Sequence, residues 1–136
     1  MADSKNAITH FNRGRTMYEV INYTTASGRD LVQDHMKRLA AQHKVNEVVT
    51  IRSYVEQLSE FGLKLEDIKP TSIKSLHNNG LYELRPKNNR IIFFCFEQNK
   101  IVLLHAFSKK TRKTPQPEIV NALNEKRDYE RRHRHE

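Results

Sequence analysis

Between residues 85 and 113 the sequence carries Arg85, Lys87, Arg90, Lys100, Lys109, Lys110, Arg112 and Lys113 against a single acid, Glu97. That stretch holds +7 of a chain whose net charge is +8. Cations at this density suit a phosphodiester backbone. A run such as Lys109 to Lys113 also suits a plain solvated face. Just upstream, Glu83 and Arg85 share one face of a strand, opposite Tyr82 and Leu84. Such a polar pair on an otherwise apolar strand fits a functional face, and it fits an exposed cross-strand ion pair equally. His105 is the one histidine inside the apolar strands, and its ordinary pKa suits proton transfer. It alternates with Leu103 and Phe107, a placement that also suits a histidine held in the core.

These residues need a scaffold, and the pattern supplies one. Met17 to Tyr23 is rich in β-branched and aromatic residues and reads as a strand. Thr24 to Gly28 is a turn, with Ser27 or Asp30 available as a helix cap. Residues 30–42 and 45–61 carry apolar groups at helical spacing, and Gly62 stops the second run. The short link Gln42-His43-Lys44 makes the two a helical hairpin. Residues 63–79, with Pro70, read as an irregular connection. Three strands follow, Leu81–Arg85, Arg90–Glu97 and Ile101–Ser108, separated by short turns that make an antiparallel meander. The runs 91–96 and 101–107 are nearly all apolar, as in central strands covered on both faces. Pro115 and Pro117 open a last helix that ends in Arg131-Arg132-His133-Arg134-His135. The order β-α-α-β-β-β-α defines an α+β domain.

Length and composition narrow the class further. The chain has 136 residues, of which 37% are apolar and 29% charged. One ordinary core fits that length. Residues 1–15 read as a flexible lead-in, 16–130 as one domain and 131–136 as a basic His/Arg tail. The longest apolar run, Ile91 to Phe96, falls far short of the roughly 20 residues a bilayer requires, and no secretory block opens the chain. The reading is a cytoplasmic protein away from membranes. Cys95 has no partner for a disulfide and reads as a small buried apolar group. His10, His35, His43, His77, His133 and His135 lack metal-site spacing, so neither a metal nor another cofactor is expected.

Three segments together resemble a known family. They are Gly80-Leu81-Tyr82-Glu83-Leu84-Arg85, then Arg90-Ile91-Ile92-Phe93-Phe94, then Leu103 through Pro115 with its Lys109-Lys110-Thr111-Arg112-Lys113-Thr114. This pattern is similar to the HigB-type toxins, phage-derived-protein-like members of the RelE/ParE superfamily. The resemblance covers roughly residues 17–130. It implies a RelE-like fold, a small twisted, mainly antiparallel sheet packed on an N-terminal helical hairpin with a C-terminal helix. It also implies the toxin of a type II toxin–antitoxin pair, a ribosome-dependent endoribonuclease that cuts mRNA in the ribosomal A site. The implied partners are the 70S ribosome, its mRNA and a cognate helix-turn-helix antitoxin.

Cleavage of RNA by its own 2′-hydroxyl needs a base, cations for the phosphorane and help for the departing 5′-oxygen. Arg85, Arg90 and Lys110 are the candidates for charge stabilisation. By the resemblance, Arg90 matches the family's strand-opening arginine and Lys110 its basic residue after the last strand. Lys87, Lys109, Arg112 and Lys113 are candidates for holding the RNA backbone. Glu83 and His105 are the candidate proton-transfer groups, although Arg85 would hold Glu83 ionised and favour an orienting role. Tyr129 and His133 reach such a site only if the last helix folds over the sheet. Two other classes remain open: a ParE-like inhibitor that binds gyrase, and a non-catalytic phage-derived nucleic-acid-binding protein.

Overall fold

The computed structural model describes residues 17–77 and 79–134. The lead-in expected over 1–15 and the end of the expected tail, His135-Glu136, lie outside the described residues. The fold is α+β. Among the described residues its sheet has five strands: β1 (Glu19–Asn22), β2 (Ile73–Ser75), β3 (Leu81–Leu84), β4 (Asn89–Phe96) and β5 (Lys100–Ser108). They lie in the order β1-β5-β4-β3-β2. Among these described strands only β1 runs parallel to its neighbour, with Glu19 opposite Lys100 and Asn22 opposite Leu103.

The meander forms because two short turns bring three apolar runs together. β4 is buried on both faces: Ile91, Ile92, Phe93 and Phe94 are all at most 1% exposed. One face meets α1 (Leu31–Ala41) and α2 (Val45–Phe61). There Val32, Leu39, Ile51 and Leu58 share a core with Ile91, Phe93 and Leu103. The other face meets the C-terminal helix, where Ile119, Ala122 and Tyr129 join Leu81, Ile92, Phe94 and Val102. The molecule is therefore a three-layer sandwich with helices on both sides of one sheet.

Asp30 caps α1 by accepting the Gln33 amide at 3.0 Å. Gly62 ends α2 at φ +60°, and a Cβ there would stand 2.5 Å from the Tyr18 ring.

Two expectations need correction. The helical segment is not a two-helix hairpin: a 3-10 turn (Gly62–Lys64) and a short α3 (Leu65–Ile68) continue it. The apolar stripe of α1 also faces the sheet, so α1 packs on β5 as well as on α2. The connection over 63–79 contains β2, which pairs antiparallel with β3, Ile73 opposite Leu84. Glu66 holds this strand in place by accepting the backbone amides of Thr71 and Ile73 at 3.1 and 2.9 Å.

The last helix, α4, spans Gln116–His133, so the basic end is helical as far as His133. Its far end is fixed by the Tyr23 hydroxyl, which donates to Asp128 at 2.7 Å. Burial, aided by that carboxylate, raises the Tyr23 pKa to about 12. Cys95 is exposed, which corrects its reading as a buried group. It lies near the end of β4, next to Phe96, whose ring packs on Tyr129 of the last helix.

Candidate nucleic-acid interface

The strand parity read from the sequence holds. Glu83 pairs with Ile92 across β3 and β4, and that face of the sheet is the α4 face. Glu83 is 1% exposed, a depth at which a carboxylate needs partners. It has three. Thr114 donates its hydroxyl to Oε2 at 2.6 Å. The Nε atoms of Arg85 and Arg90 stand 3.7 and 3.8 Å from Oε1.

Arg90 is itself buried, 7% exposed. Its Nη1 donates to the backbone carbonyls of Lys87 and Asn89 at 2.6 and 2.8 Å. Burial pulls its pKa down, the Arg85 charge adds to that, and Glu83 opposes both. Arginine stays protonated regardless. The cluster is therefore two guanidiniums on one carboxylate, with an excess positive charge under low exposure. Arg85 Nε is buried without a hydrogen-bond acceptor among the described residues. Such an arrangement attracts an anion.

The basic loop after β5 closes over this cluster. The Lys109 amide donates to the Asn88 carbonyl at 2.7 Å, and Thr114 is bonded to Glu83, so the loop is tied down at both ends. Between the ties, Lys109, Lys110, Arg112 and Lys113 line a small cleft with Glu83 and Arg90. The cleft holds about 10 Å³, room for about one water.

The structure thus brings together Glu83, Arg85, Arg90, Lys109, Lys110, Arg112 and Lys113. Lys87 adjoins the cluster through its carbonyl, bonded to Arg90, but the residue is exposed on the β3–β4 turn at φ +58° and does not line the cleft. His105 does not reach the cleft. It pairs with Ile92 across β4 and β5, which sets it two strands from Glu83, roughly 10 Å at ordinary strand spacing. Leu104 is the extra residue of a bulge, since Ile92 pairs with His105 but Phe93 with Leu103. The bulge puts Leu103 in the α1–α2 core and Leu104 in the α4 core.

There His105 meets α4. Nδ1 lies 2.6 Å from Glu125 and Nε2 2.9 Å from Glu118. Burial pushes its pKa down, but the two carboxylates, Glu125 foremost, outweigh this and the net shift is upward. Both ring nitrogens donate only in the imidazolium form. His105 therefore pins α4 to the sheet, with each nitrogen engaged. Tyr129 stacks with His133 and packs edge-on against Phe94 and Phe96, away from the cleft.

Sequence reasoning missed Thr114, the Glu118–His105–Glu125 clasp and a second buried network. In that network His35 Nε2 lies 2.8 Å from Asn89 Oδ1, while Asn89 Nδ2 donates to Glu47 at 2.9 Å. It ties α1 and α2 to the first residue of β4, next to Arg90. Burial, the leading effect, lowers the His35 pKa.

Residues 49–127, from α2 to well inside α4, match the family described as phage derived protein Gp49-like. The chain belongs to that Gp49-like family. The matched region holds the meander, the basic loop and every residue of the Glu83–Arg85–Arg90 cluster. No curated protein matches the sequence. Among the described residues no helix is long and apolar enough to cross a membrane.

Proposed function

We propose that this Gp49-like protein is the toxin of a type II toxin–antitoxin pair, a RelE/ParE-type endoribonuclease of the HigB kind that cuts mRNA on the ribosome. The observation that carries the reading is the buried Glu83–Arg85–Arg90 cluster beneath a loop of four cations. A cleft of about 10 Å³ is too small to enclose a nucleotide, which accords with a substrate presented by the ribosome in its A site.

Each residue has a role in this reading. Glu83 and Thr114 fix the guanidiniums and the loop. Arg90 and Arg85 stabilise charge on the phosphorane as the 2′-oxygen, its proton passed to solvent water, bonds to phosphorus; the bond to the 5′-oxygen then breaks, and Lys110 gives that oxygen a proton. Lys109, Arg112 and Lys113 hold flanking phosphates. The product is a 2′,3′-cyclic phosphate. A gyrase inhibitor has no need of a phosphate seat, so the ParE-like alternative takes second place. A cognate antitoxin would neutralise the toxin by covering the basic loop.

Controlled expression tests this. Growth arrest is expected, relieved by Lys110→Ala and by Lys113→Ala, both at exposed positions where folding is unaffected. Arrest that persists in both variants, with gyrase supercoiling blocked in vitro, would favour the gyrase inhibitor instead.

A further inference from the structure

β1 pairs with β5 only as far as Leu103. From Leu104 to Ser108, β5 therefore has no strand beside it on that side among the described residues. The gap between the α1 layer and the α4 layer is left open there. It forms a cavity of about 390 Å³, within the size range of small-ligand sites.

Its walls carry distinct chemistry. Phe107, half-buried with its ring 5.9 Å from that of His105, lies near the end of β5, Arg38 and the C-cap residue Gln42 come from α1, and His35 and Glu118 also line the cavity. Neither the Arg38 nor the Gln42 side chain makes a hydrogen bond or ion pair with another described residue, and both are exposed. Phe107, Lys110 and Pro115 line this cavity and the cleft over Arg90 alike. The two sites thus share a wall, with Lys110 between them.

We infer that this cavity is a nucleobase subsite: it takes one base of single-stranded RNA whose phosphate lies at Lys110. Aromatic rings stack on any base. Arginine and an amide side chain supply the donors and acceptors that read base edges in unpaired RNA. The arrangement seats the base on Phe107, its edge toward Gln42 and Arg38. This deepens the nuclease reading by naming what fixes the strand beside the cleft, and it rests on that reading for its biological role.

The test is equilibrium binding of the full chain to a short single-stranded RNA with 2′-O-methyl sugars, which cannot be cut. A second set of oligonucleotides carries one abasic nucleotide, moved along the strand. One abasic position is expected to weaken wild-type binding about tenfold, in the range measured for single-base stacking. Phe107→Leu should bind intact and abasic strands alike, and Gln42→Ala should shrink the penalty severalfold by removing the edge contact. If Phe107→Leu fails to fold, the exposed Gln42→Ala decides the matter. No binding to the intact strand, no sensitive position, or a full penalty retained in the variants would each overturn the subsite. A base-dependent wild type that cuts no mRNA on ribosomes would remove the nuclease reading and leave the subsite standing. Cutting whose base preference Gln42→Ala leaves intact would do the reverse.

Discussion

Replacing Glu83 with glutamine keeps the side chain's shape and an oxygen for the Thr114 hydroxyl. It removes the one negative charge beneath two guanidiniums. Glu83 and Arg90 are 1% and 7% exposed, so solvent cannot take over the lost compensation. Breaking a buried ion pair from one side costs about 3–5 kcal/mol. Two features place Glu83→Gln at the lower end of that range. The Nε–Oε1 separations of 3.7 and 3.8 Å exceed those of a tight charge-assisted bond, and Arg90 keeps its two backbone carbonyls. The expected loss is about 3 kcal/mol, or on the order of 10 °C in Tm for a domain of this size. Urea unfolding reads it as a lower midpoint at unchanged slope. The double variant Glu83→Gln with Arg90→Met should recover part of the loss, because the unpaired buried cation has gone with its partner. A Glu83→Gln chain within 0.5 kcal/mol of wild type, judged against the scatter of surface substitutions, would refute the view that this carboxylate exists to hold cations.

His105 gives a pH signature. Its folded pKa is raised above the ordinary 6.5, so its clasp with Glu118 and Glu125 is fully present below pH 6.5 and fades as pH climbs through the raised value. Stability measured across that window should decline in wild type and flatten in His105→Gln; equal slopes would contradict the clasp. Asn89→Ala strips partners from buried His35 and from Glu47, and a loss of about 1–3 kcal/mol is expected in urea titration. Gly62→Ala adds a Cβ 2.5 Å from the Tyr18 ring at φ +60°, and thermal melts should show a loss of more than 1 kcal/mol. A neutral result there would mean that Tyr18 moves aside freely.

The sequence made the local elements legible and the long-range ones hard to see. α1 and α2 are amphipathic with a cap and a stop at their ends, and β3, β4 and β5 are joined by turns too short for anything but a meander. β2 escaped because Ile73–Ser75 has no pattern of its own and becomes a strand only by pairing with Tyr82–Leu84. The parallel docking of β1 on β5 joins segments about eighty residues apart, and no local signal announces it. The same limit governed the site. Glu83, Arg85, Arg90 and the Lys109–Lys113 loop cluster because they sit near strand ends of one meander, and parity alone placed the first two. The face of His105 depends on a bulge at Leu104, and its role depends on two glutamates from a helix whose docking only tertiary structure reveals. Thr114 was visible only as part of the resemblance; its bond to Glu83 spans the fold.

The central claim is that the cations over Arg90 cut mRNA on the ribosome, and primer extension on a reporter mRNA in a purified translation system tests it most directly. The account predicts cuts at fixed codon positions when ribosomes are present, none when they are absent, and a loss of at least tenfold in cutting for Lys110→Ala. Folded wild-type protein that leaves the message intact in both conditions would contradict it.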